Sequence, residues 1–93
     1  MKYNLKPTTS FKKDVKQCKK RGYNLDLLKD VLKLLEEGKK LPDKYHDHPL
    51  QGNFSGCREC HILPDWLLIY EYSGKDLIIY LTRTGSHSDL FRS

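Results

Sequence analysis

Leu25, Leu28, Val31, Leu32 and Leu35 recur at helical spacing, and Asn24 before them and Gly38 after them have the chemistry of an N-cap and a stop. Leu27 and Leu34 widen that stripe, so this helix must press a broad apolar face against another element. A second amphipathic stretch precedes it, with Thr9 or Ser10 as cap, Phe11, Val15 and Cys18 at i, i+4 and i+7, and Gly22 as stop. Lysines fill its outer face. The short link at Gly22 folds the two into an antiparallel hairpin, and their apolar stripes demand a sheet or a partner to cover them.

Strand-like segments flank the hairpin. Lys2 to Lys6 alternates and stops at Pro7, which cannot donate to a ladder. Three more follow at Cys57–Leu63, Trp66–Tyr72 and Leu77–Arg83, joined by a Pro64-Asp65 corner and a Ser73–Asp76 hairpin turn. The Leu-Leu-Ile-Tyr centre of the middle one reads as buried on both faces. The tail after Arg83 has room for one helical turn, capped by Ser86 or Ser88. The order β-α-α-β-β-β with a short C-terminal turn predicts an α+β fold, a small antiparallel-rich sheet with its helices on one face.

At 93 residues the chain is read as one domain, residues 1–93. A domain this size buries only about 60–65% of the surface its unfolded chain exposes, so a staple or a partner is expected. Cys18, Cys57 and Cys60 are odd in number, and no export signal accompanies them, which argues against a disulfide framework and for a protein partner. No apolar run approaches a membrane span, so the expected location is the cytoplasm with no membrane partner. Seventeen Lys and Arg against 12 Asp and Glu leave +5, which favours a polyanion as a second partner.

From Lys39 to Gly56 the periodicity disappears into a loop of unusual length. His46 and His48 lie in it, His61 in the next strand and His87 in the tail. Paired imidazoles supply a proton acceptor and a proton donor at neutral pH. RNA self-cleavage needs both: one group takes the 2′-hydroxyl proton, another protonates the departing 5′-oxygen, and a cation such as Arg83 balances the phosphoryl charge. The plain alternative is four solvated histidines. Cys57-Arg58-Glu59-Cys60-His61 has the spacing of c-type haem attachment, but the chain lacks an export signal and any methionine beyond Met1 as axial ligand. Zinc on Cys57, Cys60, His46 and His48 is a further alternative. An extended strand sends Cys57, Glu59 and His61 to one face and Arg58, Cys60 and Ile62 to the other, which favours two free thiols instead. Trp66 and Phe91 read as core or lid residues, or as base-stacking rings if exposed, and Asp65 as a turn residue.

Three ordered motifs sharpen this reading: His46-Asp47-His48-Pro49-Leu50-Gln51-Gly52, then Arg58-Glu59-Cys60-His61-Ile62-Leu63-Pro64-Asp65-Trp66-Leu67-Leu68-Ile69-Tyr70, then Arg83-Thr84-Gly85-Ser86-His87-Ser88-Asp89-Leu90-Phe91. Together they resemble the YafQ branch of the RelE/ParE toxin superfamily, with its DHPLQG loop, RxxHxxPDWxLIY strand pair and RTGSHxxLF tail. The resemblance implies a RelE-like fold and a type II toxin-antitoxin endoribonuclease that cuts messenger RNA in the ribosomal A site, without a metal or other cofactor. It places His48, His61, Asp65, Arg83 and His87 at the matching active-site positions. His48 is then the base, a role it could exchange with His61, His87 the acid and Arg83 the phosphoryl cation. Asp65 orients a histidine, and His61 positions or shares proton transfer. Trp66 and Phe91 match the supporting or stacking aromatics. Lys39, Lys40 and Lys44 would join the lysine-rich helix in gripping RNA. The implied partners are the 70S ribosome with its message and an acidic antitoxin, ribbon-helix-helix in its other half, through which alone operator DNA is met. A ParE-like gyrase toxin or a non-cleaving RNA-binding module on the same fold are the rival readings.

Overall fold

The computed structural model describes residues 2–91 as a five-stranded sheet with two helices on one face and a short third helix on the other. The expected element order holds, with one addition. β1 (Asn4–Pro7), α1 (Thr9–Lys20), α2 (Leu25–Glu36), β2 (His48–Pro49), β3 (Arg58–Leu63), β4 (Trp66–Tyr72), β5 (Ile78–Gly85) and α3 (His87–Phe91) run in chain order. The sheet order is β1-β5-β4-β3-β2, antiparallel except for the parallel β1–β5 pair.

Boundaries moved where tertiary contacts overrule local signals. β1 includes Pro7, tolerated because the strand lies at the sheet edge. The cap of α1 is Thr8 rather than Thr9 or Ser10: its Oγ1 accepts from Phe11 N at 3.1 Å and also lies 3.0 Å from the Leu81 and Thr82 carbonyls of β5, so one hydroxyl caps the helix and ties it to the sheet. Asn24 caps α2, its side chain accepting from Asp26 N. The stretch from Lys39 to Gly56 is not patternless loop. It holds two 3₁₀ turns, Asp43–Tyr45 and Gly52–Phe54, and the two-residue β2. Leu41 and Tyr45 dock on the main core, and Leu50 and Phe54 on the opposite face.

Alternation divides the sheet cleanly. Cys60, Ile62, Trp66, Leu68, Tyr70, Ile79 and Leu81 meet Phe11, Cys18, Leu28, Val31 and Leu35 under the helices. Leu67, Ile69 and Cys57 face the other way and are covered by Leu90 of α3. β4 is thus buried on both sides, Leu67 through Ile69 being fully inaccessible, and each such side chain contributes about 1.5–3 kcal/mol on transfer from water.

Two slips in the ladders matter. Between Ile69 and Tyr70 the β4–β5 register shifts so that Thr82 is an extra residue, and Arg83 pairs with Ile69. Without that bulge Arg83 would continue the face of Ile79 and Leu81, beneath the helices. The second slip, between His61 and Leu63, brings Leu63 opposite Trp66 and leaves Pro64 and Asp65 to make the corner.

Ser86 caps α3. Asp89 N donates to its hydroxyl at 3.1 Å, Ser86 N donates back to Asp89 Oδ2 at 2.9 Å, and Arg21 grips the same carboxylate at 2.6 and 3.1 Å. Gly85 before it has φ +156°, and a Cβ there would sit 2.9 Å from Asp89 Oδ2, so the tail motif requires glycine at this point. No helix among the described residues is long and apolar enough to cross a membrane.

Trp66 Nε1 donates to Thr84 Oγ1 at 2.9 Å, and that hydroxyl donates to Leu67 O at 2.7 Å, both groups being buried. Thr84→Val should strand the indole N–H and lower stability by about 1–3 kcal/mol in urea titration. Asp89 is held down at about 2, chiefly by Arg21 and then by Ser86 N–H. A depressed carboxylate stabilises the fold above its ordinary pKa of about 3.9 and loses that contribution as pH falls toward the folded value. Chemical denaturation at stepped pH should therefore show an acid limb below about pH 4 that Asp89→Asn flattens.

Candidate active site

The histidines collect on the sheet face away from α1 and α2. β3 alternation puts Glu59 and His61 there, β2 lays His48 opposite Glu59, and the corner and tail bring Asp65 to His87. His61 is the middle of the group: its ring centroid lies 5.7 Å from that of His46, 6.0 Å from His48 and 5.7 Å from His87. Phe91 flanks His87 at 6.5 Å and meets Phe54 edge-on at 5.8 Å.

Asp65 Oδ1 accepts from the His87 backbone N–H at 2.9 Å and from ring Nδ1 at 2.6 Å. These two bonds, the backbone one first, hold its carboxylate below the usual range. They also fix the His87 tautomer: with Nδ1 protonated toward Asp65, Nε2 is the nitrogen left to exchange a proton. His48 is fixed in the same manner. Its Nδ1 lies 2.7 Å from the His46 carbonyl, which can only accept, so that nitrogen carries hydrogen and Nε2 turns to Glu59 Oε1 at 3.2 Å.

Glu59 was not singled out from the sequence, and it is the most buried polar residue of the group at 4% exposure. Its Oε1 also lies 3.4 Å from His61 Nε2, while Oε2 has no protein hydrogen-bond partner. A carboxylate buried between two imidazoles avoids an isolated charge only by sharing their protons. The signal available in sequence was its place between Cys57 and His61 on one strand face.

Other expected site residues fall elsewhere. Trp66, expected as a supporting or base-stacking ring, is 2% exposed and packs edge-on against Tyr23 at 4.9 Å, so its ring is not presented at the surface. Arg83 is re-aimed by the bulge, but its guanidinium is bound to Asp14 of α1, Nε to Oδ2 at 2.6 Å and NH2 to Oδ1 at 3.1 Å, and contacts no histidine. Asp14 raises its pKa, so the group stays cationic. Lys44 does reach the site's margin, lining a cavity of about 560 Å³ with His46, His61, Ile62, Leu63 and Pro64. Lys39 and Lys40 are exposed just past α2, Lys39 lying 3.8 Å from Glu37. Phe91 is 45% exposed.

The haem and zinc alternatives built on cysteine are not assembled. Cys57 and Cys60 lie on opposite faces, both as buried free thiols, and burial pushes Cys60 up to about 12. Among the described residues the one His and carboxylate set spaced to chelate a metal is His48, Glu59 and His61, whose ligand atoms lie within 4.8 Å of one another.

Residues 3–92 match the family model of the bacterial toxin of type II toxin-antitoxin systems, YafQ. The chain is 43% identical over 82 residues to the mRNA interferase toxin YafQ of Escherichia coli strain K12, covering 87% of each chain. Among solved structures, the E. coli DinJ-YafQ toxin-antitoxin complex superposes with a TM-score of 0.87 at 38% identity, over 98% of this chain and 99% of that one. A metal-bound toxin from Helicobacter pylori superposes with a TM-score of 0.88 at 41% identity, over 98% and 100%. Both the sequence match, nearly end to end, and the shared architecture place this chain in the YafQ family of bacterial type II toxins.

Proposed function

We propose that this chain is a metal-independent endoribonuclease that cuts messenger RNA in the A site of the 70S ribosome, in the cytoplasm, and that a cognate antitoxin restrains it. The observation that carries the reading is the convergence of His48, Glu59, His61 and the Asp65–His87 pair on one sheet face, from three segments far apart in sequence. The name of the E. coli relative, an mRNA interferase, supports the substrate class.

The chemistry balances with these groups alone. His48 Nε2, once it leaves Glu59, takes the 2′-hydroxyl proton, the 2′-oxygen bonds to the adjacent phosphorus, the bond to the 5′-oxygen breaks, and His87 Nε2 protonates that leaving oxygen, leaving a cyclic phosphate. Asp65 holds the Nδ1–H of His87, so that Nε2 is the nitrogen that gives up its proton. His61, between the two, positions them or relays the proton. Arg83 exchanges Asp14 for the phosphoryl oxygens, one anion for another. Phe91, exposed beside His87, offers a ring for a base, and Trp66 supports the corner from beneath. Lys39, Lys40 and Lys44 hold the RNA backbone without reading sequence.

The solved complex of the E. coli relative with DinJ supports an antitoxin as partner. A charge of +5 favours an acidic one, and the ribbon-helix-helix half we assign to it is the part that would meet operator DNA.

Purified protein added to ribosomes paused on a defined message, with 5′ ends mapped, should give cuts absent from free RNA. His87→Ala should bind antitoxin as the parent does and lose about 10²–10⁴-fold in cleavage rate; a variant that cuts normally removes His87 from the acid role. Cleavage should persist in EDTA. Excess zinc should inhibit it, because an ion seated on His48, Glu59 and His61 takes the nitrogens that must exchange protons.

A further inference from the structure

Three motif residues take no part in proton transfer and yet are bonded to one another. Asp47 Oδ1 accepts the Tyr70 hydroxyl at 2.5 Å, and Oδ2 accepts Arg58 Nη2 at 3.1 Å and Nε at 3.3 Å. The three come from three places: the loop before β2, the start of β3 and the buried middle of β4. The Cys60 thiol and the Tyr72 ring lie close enough to feel the carboxylate, and neither is an ion at neutral pH, so Arg58 is the one charge that answers it.

We infer that Asp47 is the positioning residue for His48, an anchor that sets which way the imidazole faces and which nitrogen carries hydrogen. The inference rests on the reading of His48 as a proton-transfer group. β2 has just two ladder partners, His48 to Glu59 and Pro49 to Arg58, and a ladder of that length cannot hold its own register. Its far end is held by the Leu50 N–H bond to the Cys57 carbonyl at 2.9 Å and by Leu50 on the second core, and its near end, where His48 sits, by the carboxylate one residue earlier. Consecutive extended residues face opposite sides, so pinning Asp47 to Tyr70 on the helix side delivers His48 to the site side, against Glu59.

The same pin sets the tautomer. His46 occupies the left-handed region at φ +49°, the one described non-glycine residue with positive φ, and its carbonyl receives Nδ1–H of His48. Such a conformation costs free energy and persists where neighbours enforce it. Asp47 is the neighbour with side-chain bonds that do so. Burial and Asp47 both push the Tyr70 hydroxyl above its usual range, which keeps it a donor throughout the working pH range.

The test compares parent, Asp47→Ala, Asp47→Asn and Arg58→Lys by cleavage of ribosome-bound message and by proton–nitrogen correlation spectra of the imidazoles. Asp47→Ala should lose on the order of 10²-fold in kcat with little change in KM. The His48 Nδ1–H signal should broaden or vanish, while that of His87, held by Asp65, stays. Asp47→Asn keeps the Tyr70 bond and loses the charge facing Arg58, so it should fall between. An Asp47→Ala protein with parental kcat overturns the inference, as does one that loses activity with the His48 signal unchanged. If Asp47→Ala does not fold, Asp47→Asn and Arg58→Lys decide by the same two readouts. If the parent cuts no message, the functional reading fails, and the His48 signal in Asp47→Asn still decides whether Asp47 sets that ring.

Discussion

Along β3, Cys60 and Ile62 go under the helices while Glu59 and His61 go to the opposite face, because an extended chain turns consecutive side chains to opposite sides. Slipping β3 by one residue against β4 would drive His61 into the apolar core and expose Ile62. β4 forbids that slip, since Trp66, Leu68 and Tyr70 are committed to one core and Leu67 and Ile69 to the other. The position of His61 is therefore enforced by core packing along β3 and β4 rather than by its own neighbours on the surface. This is the rigid platform on which a loop, a corner and a tail can present polar groups.

The site itself is built from departures from regularity. The bulge at Thr82 turns Arg83 out from beneath the helices. Glycine at position 85 lets the chain swing close to Asp89 and start α3, which carries His87 to Asp65. Left-handed His46 turns the chain into β2. Each departure is held by a polar contact: Asp14 on Arg83 and on Thr84 N–H, Arg21 on Asp89, Arg58 and Tyr70 on Asp47. Ion pairs between distant segments thus fix the site's framework: acidic Asp14 of α1 holds Arg83 of β5, Arg21 at the end of α1 holds Asp89 of α3, and Arg58 of β3 holds Asp47 of the loop.

Much of this was legible in the residues. The leucine stripe of α2, its Asn24 cap, the doubly buried centre of β4 and the helical turn after Ser86 follow from periodicities and caps that act within one or two turns. The three motifs singled out His48, His61, Asp65 and His87, and the structure brings these side chains together on one sheet face. Other features were not legible for reasons of range. Thr8 caps α1 instead of its neighbours because β5, more than seventy residues away, also engages its hydroxyl. The 3₁₀ turns and two-residue β2 between Lys39 and Gly56 are too short to leave a period. Trp66 could be read as stacking or supporting until Tyr23 and Thr84 closed over it.

What the sequence determined by itself is the main helices and strands, their order and the side of the sheet that residues of the regular ladders take, because periodicity and capping depend on near neighbours. The tertiary structure alone decided that Glu59 becomes a buried carboxylate shared by two imidazoles, that Arg83 rests on Asp14, and that Asp47 is bonded to Arg58 and Tyr70. These depend on strand register and on one extra residue in β5. Register is set by the sum of core contacts across the whole sheet, a sum no local stretch of sequence contains.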